Sequence, residues 1–135
     1  MTLPEAGSLL RIFLIGAGGF LGSVARYLLR GFVQGAAPES LFPLGTLAVN
    51  VLGSAGIGVF WELAEQYGVL SDLSRAFWIV GFLGGFTTFS AFANETFALA
   101  RDSEYAGAAA NVAAQLVLCL GAVWFGRSIV HWIWR

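Results

Sequence analysis

Apolar residues fill four long stretches of the chain, roughly Leu9–Val33, Pro43–Ala64, Ala76–Leu99 and Tyr105–Val130, separated by short polar links. Each has at least the ~20 residues a helix needs to cross ~30 Å of hydrocarbon. The pattern predicts an all-α membrane protein: one four-helix transmembrane domain, with no room for a soluble one. The polar positions inside the stretches are ordered. Thr46, Asn50 and Ser54 step by four, so they share one helix face, which Gly58 continues. Asn111, Gln115 and Cys119 repeat the step in the last stretch. Lipid would not face such stripes. They predict either hydrogen bonds between helices or the lining of a polar path.

The third stretch has the least regular centre: Gly81-Phe82-Leu83-Gly84-Gly85-Phe86-Thr87-Thr88-Phe89-Ser90-Ala91-Phe92. Gly84 and Gly85 each disfavour helix by roughly 1 kcal/mol relative to alanine. Thr87 and Thr88 are β-branched and can hydrogen-bond nearby backbone. The third helix is therefore expected to break at mid-membrane. A break there frees N–H and C=O groups where no water reaches them. It is tolerated only where protein buries it or where it lines a cavity or ion site. Beyond it, Phe89 and Phe92 are i, i+3 on one face, among hydroxyls that a pure packing surface has no need of. Glu95, one turn later and near the end of the stretch, reads as an interfacial carboxylate.

Gly18 and Gly22 form a GxxxG pair in the first stretch, a surface that another helix can approach closely. They do not form a dinucleotide fingerprint, and no strand precedes them. Arg26 continues their face. It either snorkels to the interface or supplies positive potential at a water-filled mouth, and the two are compatible. Residues 31–42 are expected to be a loop. Arg101 to Glu104 is so short a link that the last two stretches must be antiparallel neighbours, and the alanines at 106, 109, 110, 113 and 114 offer a close-packing surface. Trp124, His131, Trp132 and Trp134 read as an interfacial belt.

Composition narrows the function. Charged residues are 11% of the chain, against about 25% in soluble domains. Net charge is −1 and there is no lysine, which argues against nucleic-acid binding and a polybasic lipid-binding surface. Glu5 without a basic residue before Leu9, and a long first stretch, argue against a cleaved signal peptide. Cys119 is the only cysteine, so no internal disulfide is possible, and it reads as a small buried residue. Arg11, Arg75, Arg127 and Arg135 fall on one side of the membrane, and Arg26, Arg30 and Arg101 on the other. Four against three is almost no positive-inside bias. Together with two polar stripes that four short helices cannot shield, this points to an oligomer, with dual topology giving an antiparallel dimer.

No stretch carries a central carboxylate of the kind that cation and proton exporters use. The interior offers hydroxyls, the Asn50 amide and phenylalanine ring edges, the positive part of the ring quadrupole. These suit a small anion, while freed carbonyls at the break suit a cation. The residues alone do not select the anion.

The run Gly84-Gly85-Phe86-Thr87-Thr88-Phe89-Ser90-Ala91-Phe92 with Glu95 resembles the third-helix motif of the Fluc (CrcB) fluoride channels. Gly45-Thr46-Leu47-Ala48-Val49-Asn50 resembles their second-helix motif, and Gly22-x-x-x-Arg26-Tyr27 their first. The resemblance covers essentially the whole chain. It implies passive fluoride export through an antiparallel, dual-topology homodimer in a cell membrane, in bacteria the inner membrane, with two pores and a central sodium ion. It further implies that Phe89 and Phe92 line the fluoride path and that Asn50 donates to the ion. Thr46, Thr88, Ser90 and Glu95 would complete a polar track. Arg26 would stand at a vestibule, and the Gly84 and Thr87 carbonyls would hold sodium. On the last helix, where many members have a tyrosine followed one turn later by serine, this chain has Asn111 and Gln115. Two rival readings are weaker. A small multidrug-resistance-type coupled exporter needs a carboxylate in the first stretch, which is missing. A non-transporting membrane assembly protein does not explain hydroxyls beside Phe89 and Phe92. An enzyme would need a Ser/His, paired-Asp or His-metal constellation, and the sequence has none.

Overall fold

The four apolar stretches are helical, and the first and third run past both ends that hydropathy sets. A computed structural model describes residues 6–134; Glu5 and Arg135, used above for the leader and charge arguments, lie outside the described residues. Helix α1 is Ala6–Ala36 and α2 is Leu44–Glu65. The third span begins with α3 (Asp72–Arg75), continues into a π-helical segment (Ala76–Leu83) and then α4 (Gly84–Phe86), and resumes as α5 (Phe89–Arg101). Helix α6 is Tyr105–Ile133. Among the described residues there is no strand. Four segments are long and apolar enough to cross a membrane: Gly7–Ala36, Leu44–Glu65, Asp72–Arg101 and Tyr105–Ile133.

The first loop is shorter than expected. Gly31 and Gly35 lie inside α1, and the connection shrinks to residues 37–43. Gln34 accounts for this. Its Nε2 donates to the Ser40 and Phe42 carbonyls at 3.2 and 3.4 Å, and its Oε1 accepts from the Gly45 N–H at 3.2 Å. One side chain thus satisfies the tight loop and an otherwise orphan donor at the start of α2. The third span starts early because Ser71 Oγ caps it, accepting from the Ser74 N–H at 3.2 Å.

Helix α1 packs along the π-helical segment backbone to backbone. A Cβ added at Gly18 would lie 2.5 Å from the Phe77 carbonyl oxygen, one at Gly81 2.7 Å from that of Ile15, and one at Gly85 2.5 Å from that of Gly19. The GxxxG of α1 therefore meets a second GxxxG, Gly81 and Gly85, in the third span. Hydrocarbon gives two apolar helices no hydrophobic reason to associate, so this close approach, with its dispersion contacts, is what joins them. The expectation that Gly84 and Gly85 interrupt the helix is corrected: both are helical, and the packing of Gly85 on Gly19 outweighs glycine's weak propensity.

The departure from helix comes at Thr87 (φ −82°, ψ 158°) and Thr88 (φ −153°, ψ 112°), both extended. The two threonines act in opposite directions. Thr87 Oγ1 donates back to the Leu83 carbonyl at 2.9 Å, which closes the helix before it. Thr88 Oγ1 accepts from the Ala91 N–H at 3.2 Å, which caps the helix after it.

On the other side of the bundle, α2 packs on α6 through Gly58 and Gly126, each set against the other helix's backbone. The ion pairs sort to the two ends. Arg11–Asp72, Arg75–Glu65 and Arg127–Glu62 mark one end, and Arg30–Glu95 and Arg101–Asp102 the other. Only 11% of the apolar window of α1 is buried within the chain. Its outward side chains, among them Phe13, Phe20 and Phe32, must face hydrocarbon or another protein. Trp132 and Trp134 are exposed at the end of α6, and Trp124 is exposed more than two turns before it.

Candidate functional site

The extended Thr87-Thr88 step leaves backbone groups without helical partners, and side chains from two other spans take them up. Asn50 of α2 does most. Its Oδ1 accepts from the Thr88 N–H at 2.8 Å, and its Nδ2 donates to the Thr88 carbonyl at 3.0 Å. From α1, Arg26 Nη1 donates to the Thr87 carbonyl at 3.4 Å, and Ser23 Oγ reaches the Gly85 carbonyl at 3.5 Å. Arg26 therefore points inward from its half-buried position to the step. Because the Thr88 N–H goes to Asn50, the Gly84 carbonyl loses its i+4 donor. Gly84 is exposed, and a Cβ there would meet nothing nearer than the Ile79 carbonyl oxygen at 3.9 Å.

A cavity of about 400 Å³ opens beside the step, lined by Asn50, Thr88, Phe89, Phe92 and Gln115 among others. The Phe89 and Phe92 rings meet edge to face, 5.3 Å apart and inclined by 69°. Phe89 is 77% exposed, so its ring is presented rather than packed away. A second cavity, about 450 Å³, lies on the α1 side of the step and is lined by Arg26, Arg30, Thr88 and Ser90 with Ser23 and Tyr27. Thr88 lines both, and its Oγ1 is 3.3 Å from Ser90 Oγ.

Thr46 and Glu95 form a further polar group. Thr46, 1% exposed, donates through Oγ1 to Glu95 Oε1 at 2.7 Å. Arg30 Nη2 donates to the same oxygen at 2.8 Å. Glu95 is thus a largely enclosed carboxylate held by a guanidinium and a hydroxyl, not the free interfacial group expected; its Oε2 is buried without a partner. Helix α6 adds two amides. Asn111 Nδ2 donates to Thr96 Oγ1 at 2.9 Å, and Thr96 in turn donates to the Phe92 carbonyl at 2.8 Å. Gln115 Oε1 accepts from Asn50 Nδ2 at 3.1 Å and from the Cys119 thiol at 3.7 Å.

The structure brings Asn50, Thr88, Phe89 and Phe92 to one cavity, Arg26 and Ser90 to its neighbour, and Thr46 to Glu95. Sequence reasoning passed over Arg30, Ser23 and Thr96. Arg30 was detectable, because Gly18, Gly22, Arg26 and Arg30 all step by four. Ser23 and Thr96 needed the register between helices. Among the described residues no group of three His, Cys, Asp or Glu side chains could hold a metal. A cation at the step would have to take backbone oxygens, which suits a hard ion such as an alkali metal. The Gly84 carbonyl fits that use, having lost its donor on an open face. The Thr87 carbonyl keeps one of its two lone pairs beside the Arg26 contact.

The sequence has close counterparts. A family model described as CrcB-like protein, Camphor Resistance (CrcB), matches residues 13–127 and so reaches into all four spans. A protein of Geobacter sulfurreducens named fluoride-specific ion channel FluC is 48% identical over 115 residues, covering 85% of this chain and 92% of that one. One of the same name from Opitutus terrae is also 48% identical over 115 residues, covering 84% and 86%. Methanosarcina acetivorans has one named fluoride-specific ion channel FluC 1, 41% identical over 116 residues, covering 86% and 87%. These relatives are named as ion channels, not enzymes. With a family match over most of its length and relatives at this identity, the chain, a multi-pass membrane protein, belongs to the CrcB-like family.

Proposed function

We propose that this protein is a fluoride channel, not an enzyme, which lets fluoride leave down its gradient and so lowers cytoplasmic fluoride. The observation that carries the reading is the cavity beside the Thr87-Thr88 step. It sets two phenylalanine rings and an amide system side by side, in a chain whose relatives are named for fluoride. A small anion entering such a site gives up water. Ring edges and N–H donors replace part of that hydration without a fixed positive charge strong enough to trap the ion. The path runs past Asn50, Thr88, Phe89 and Phe92. Thr46, Ser90 and Glu95 continue the polar track, and Arg26 supplies positive potential at the vestibule.

A single chain leaves this site open, with Phe89 and Gly84 both exposed. A second copy would close it. The near-balance of arginines between the two ends supports an antiparallel, dual-topology homodimer with two paths. The Thr87-Thr88 step then acts as a functional break of the third span, and two such steps meet at the dimer centre. There the Gly84 and Thr87 carbonyls of both subunits would hold a sodium ion, whose charge offsets the carbonyl dipoles gathered around it. In a bacterial cell the membrane is the inner one.

Purified protein in liposomes, read with a fluoride electrode under a potassium/valinomycin potential, tests the reading. Fluoride efflux without a proton gradient is expected. Absence of efflux would sink the proposal, and a requirement for a proton gradient would replace the channel with a coupled exporter.

A further inference from the structure

We propose that a further cavity, at the end of the bundle opposite Arg30 and Glu95, seats the headgroup of a membrane phospholipid bearing a primary ammonium, of the phosphatidylethanolamine class. The cavity measures about 430 Å³ and lies between α1, α2 and the start of the third span. None of its polar groups lines the other two cavities. Its polarity is graded along the bundle. Arg11, Asp72, Arg75 and Trp61 form the outer rim. Ile15 and Ile79 wall the inner part, each four residues deeper than an arginine of its own span. A soluble ion needs only the rim. A charged rim that continues into an apolar wall suits a molecule with a charged head and hydrocarbon chains. Arg11 is flanked in α1 by Leu10 and Ile12, both exposed, so lipid reaches its level.

The rim groups are not used up by one another. Arg11 Nη2 stands 3.7 Å from Asp72 Oδ2, a charge contact too long for a hydrogen bond, and both side chains are exposed. Arg75 is held by Glu65 and lies 6.0 Å over the Trp61 ring. A guanidinium has five N–H donors, more than one carboxylate takes. Two guanidiniums lining one cavity match a phosphodiester, which the planar N–H fork grips well. Trp61 is a half-exposed amphipathic ring of the kind that settles at headgroup level. Asp72 makes the choice among phospholipids. With Glu65 it balances the two arginines, so the rim holds no excess charge to reward an anionic lipid. A phosphate that takes up Arg11 draws the guanidinium away from Asp72. A primary ammonium two carbons from that phosphate replaces it with N–H donors. The trimethylammonium of a choline lipid has no N–H to give, and a glycerol headgroup brings no charge.

Native mass spectrometry of the delipidated full chain tests the site. The protein is offered equal amounts of ethanolamine, choline and glycerol phospholipids with the same acyl chains. Wild type should retain the ethanolamine lipid about threefold or more over the other two, and Arg11→Gln should lower that retention by about threefold or more, as exposed charge pairs imply. Asp72→Asn should still retain phospholipid but lose the preference for ethanolamine. If Arg11 and Asp72 serve only to pair with each other, the two variants behave alike. If the surface takes any lipid, wild type retains all three equally. Either pattern overturns the inference. Glycerophosphoethanolamine, the same headgroup without chains, should displace no lipid at matching concentration; displacement would make the rim a site for soluble phosphates and overturn the lipid. No retained lipid, with a dimer fraction that falls in Arg11→Gln, would show that a second copy covers the cavity and would overturn it equally. Both substituted side chains are exposed, and wild-type thermal midpoints verify that the variants are folded.

Discussion

Asn50 and Thr88 exchange two hydrogen bonds, side-chain amide to backbone amide, at 2.8 and 3.0 Å. Asn50 therefore does for Thr88 what a neighbouring strand would do, and the extended residue survives in a span where water is excluded. Asn50→Asp keeps the acceptor for the Thr88 N–H. It removes both donors, orphans the Thr88 carbonyl and places negative charge beside an anion path. Fluoride flux should vanish while the oligomer persists on size exclusion. Wild-type flux in this variant would remove Asn50 from the site.

Phe89 separates function from stability cleanly. At 77% exposed in the single chain, its ring contributes little to packing within that chain. Phe89→Ile should leave expression and thermal midpoint close to wild type. It should nonetheless abolish fluoride efflux, because a branched aliphatic side chain has no positive ring edge to offer. Unchanged flux would show that the ion does not pass this ring.

The paired glycines make a prediction of opposite kind. Gly85→Ala puts a Cβ 2.5 Å from the Gly19 carbonyl oxygen, a backbone atom that cannot swing aside. Helix α1 and the third span must separate, at a cost of roughly 1–3 kcal/mol typical of overpacking. Gly84→Ala, one residue away, meets only the Ile79 carbonyl oxygen at an ordinary contact distance of 3.9 Å and should leave the monomer fold untouched. Its effect should be confined to assembly or sodium dependence. Equal thermal midpoints for the two variants would contradict the backbone contact.

These contrasts show what was legible in the sequence. The four spans, the Thr46-Asn50-Ser54 stripe and the face Gly18-Gly22-Arg26 follow from hydropathy and a period of 3.6, which are local properties. The site of the break does not. Propensity points to Gly84-Gly85, but whether a glycine weakens a helix or packs it depends on what lies opposite, and Gly19 lies opposite Gly85. The π-helical turns and the Asn50–Gln115 bond depend likewise on the register between spans, on which one chain's periodicity is silent. Glu95 was misjudged for the same reason, since Arg30 and Thr46 reach it from two other helices.

The Arg30–Glu95 pair can be tested by removing one partner at a time. Glu95→Gln keeps an oxygen to accept from Thr46 and from Arg30, and leaves no buried charge. Arg30→Met leaves the mostly enclosed Glu95 carboxylate with Thr46 alone. The second change should be the more destabilising, by about 1–2 kcal/mol. The full penalty for an orphaned buried charge is reduced here because Arg30 is itself half exposed. Thermal melts of both variants in one detergent decide the order.

The proposed dual topology can be tested through the arginine balance. The end that carries Arg11, Arg75, Arg127 and Arg135 holds four arginines, and the other end three. Such a chain should insert both ways, and small additions of charge should tip it. Glu39→Lys with Glu104→Lys adds two cations to the second end, making five against four. Gln66→Lys adds one to the first, making five against three. Both sets of positions are exposed loop or helix-end sites away from the two cavities. Each variant expressed alone should be oriented mainly one way and deliver little fluoride flux, because an antiparallel dimer needs both orientations. Co-expression of the two should restore flux towards the wild-type level. A tag-accessibility assay on intact cells reports orientation independently of transport. Full activity of either variant in a single orientation would rule out the antiparallel assembly, while leaving the path past Phe89 and Phe92 to be judged by its own variants.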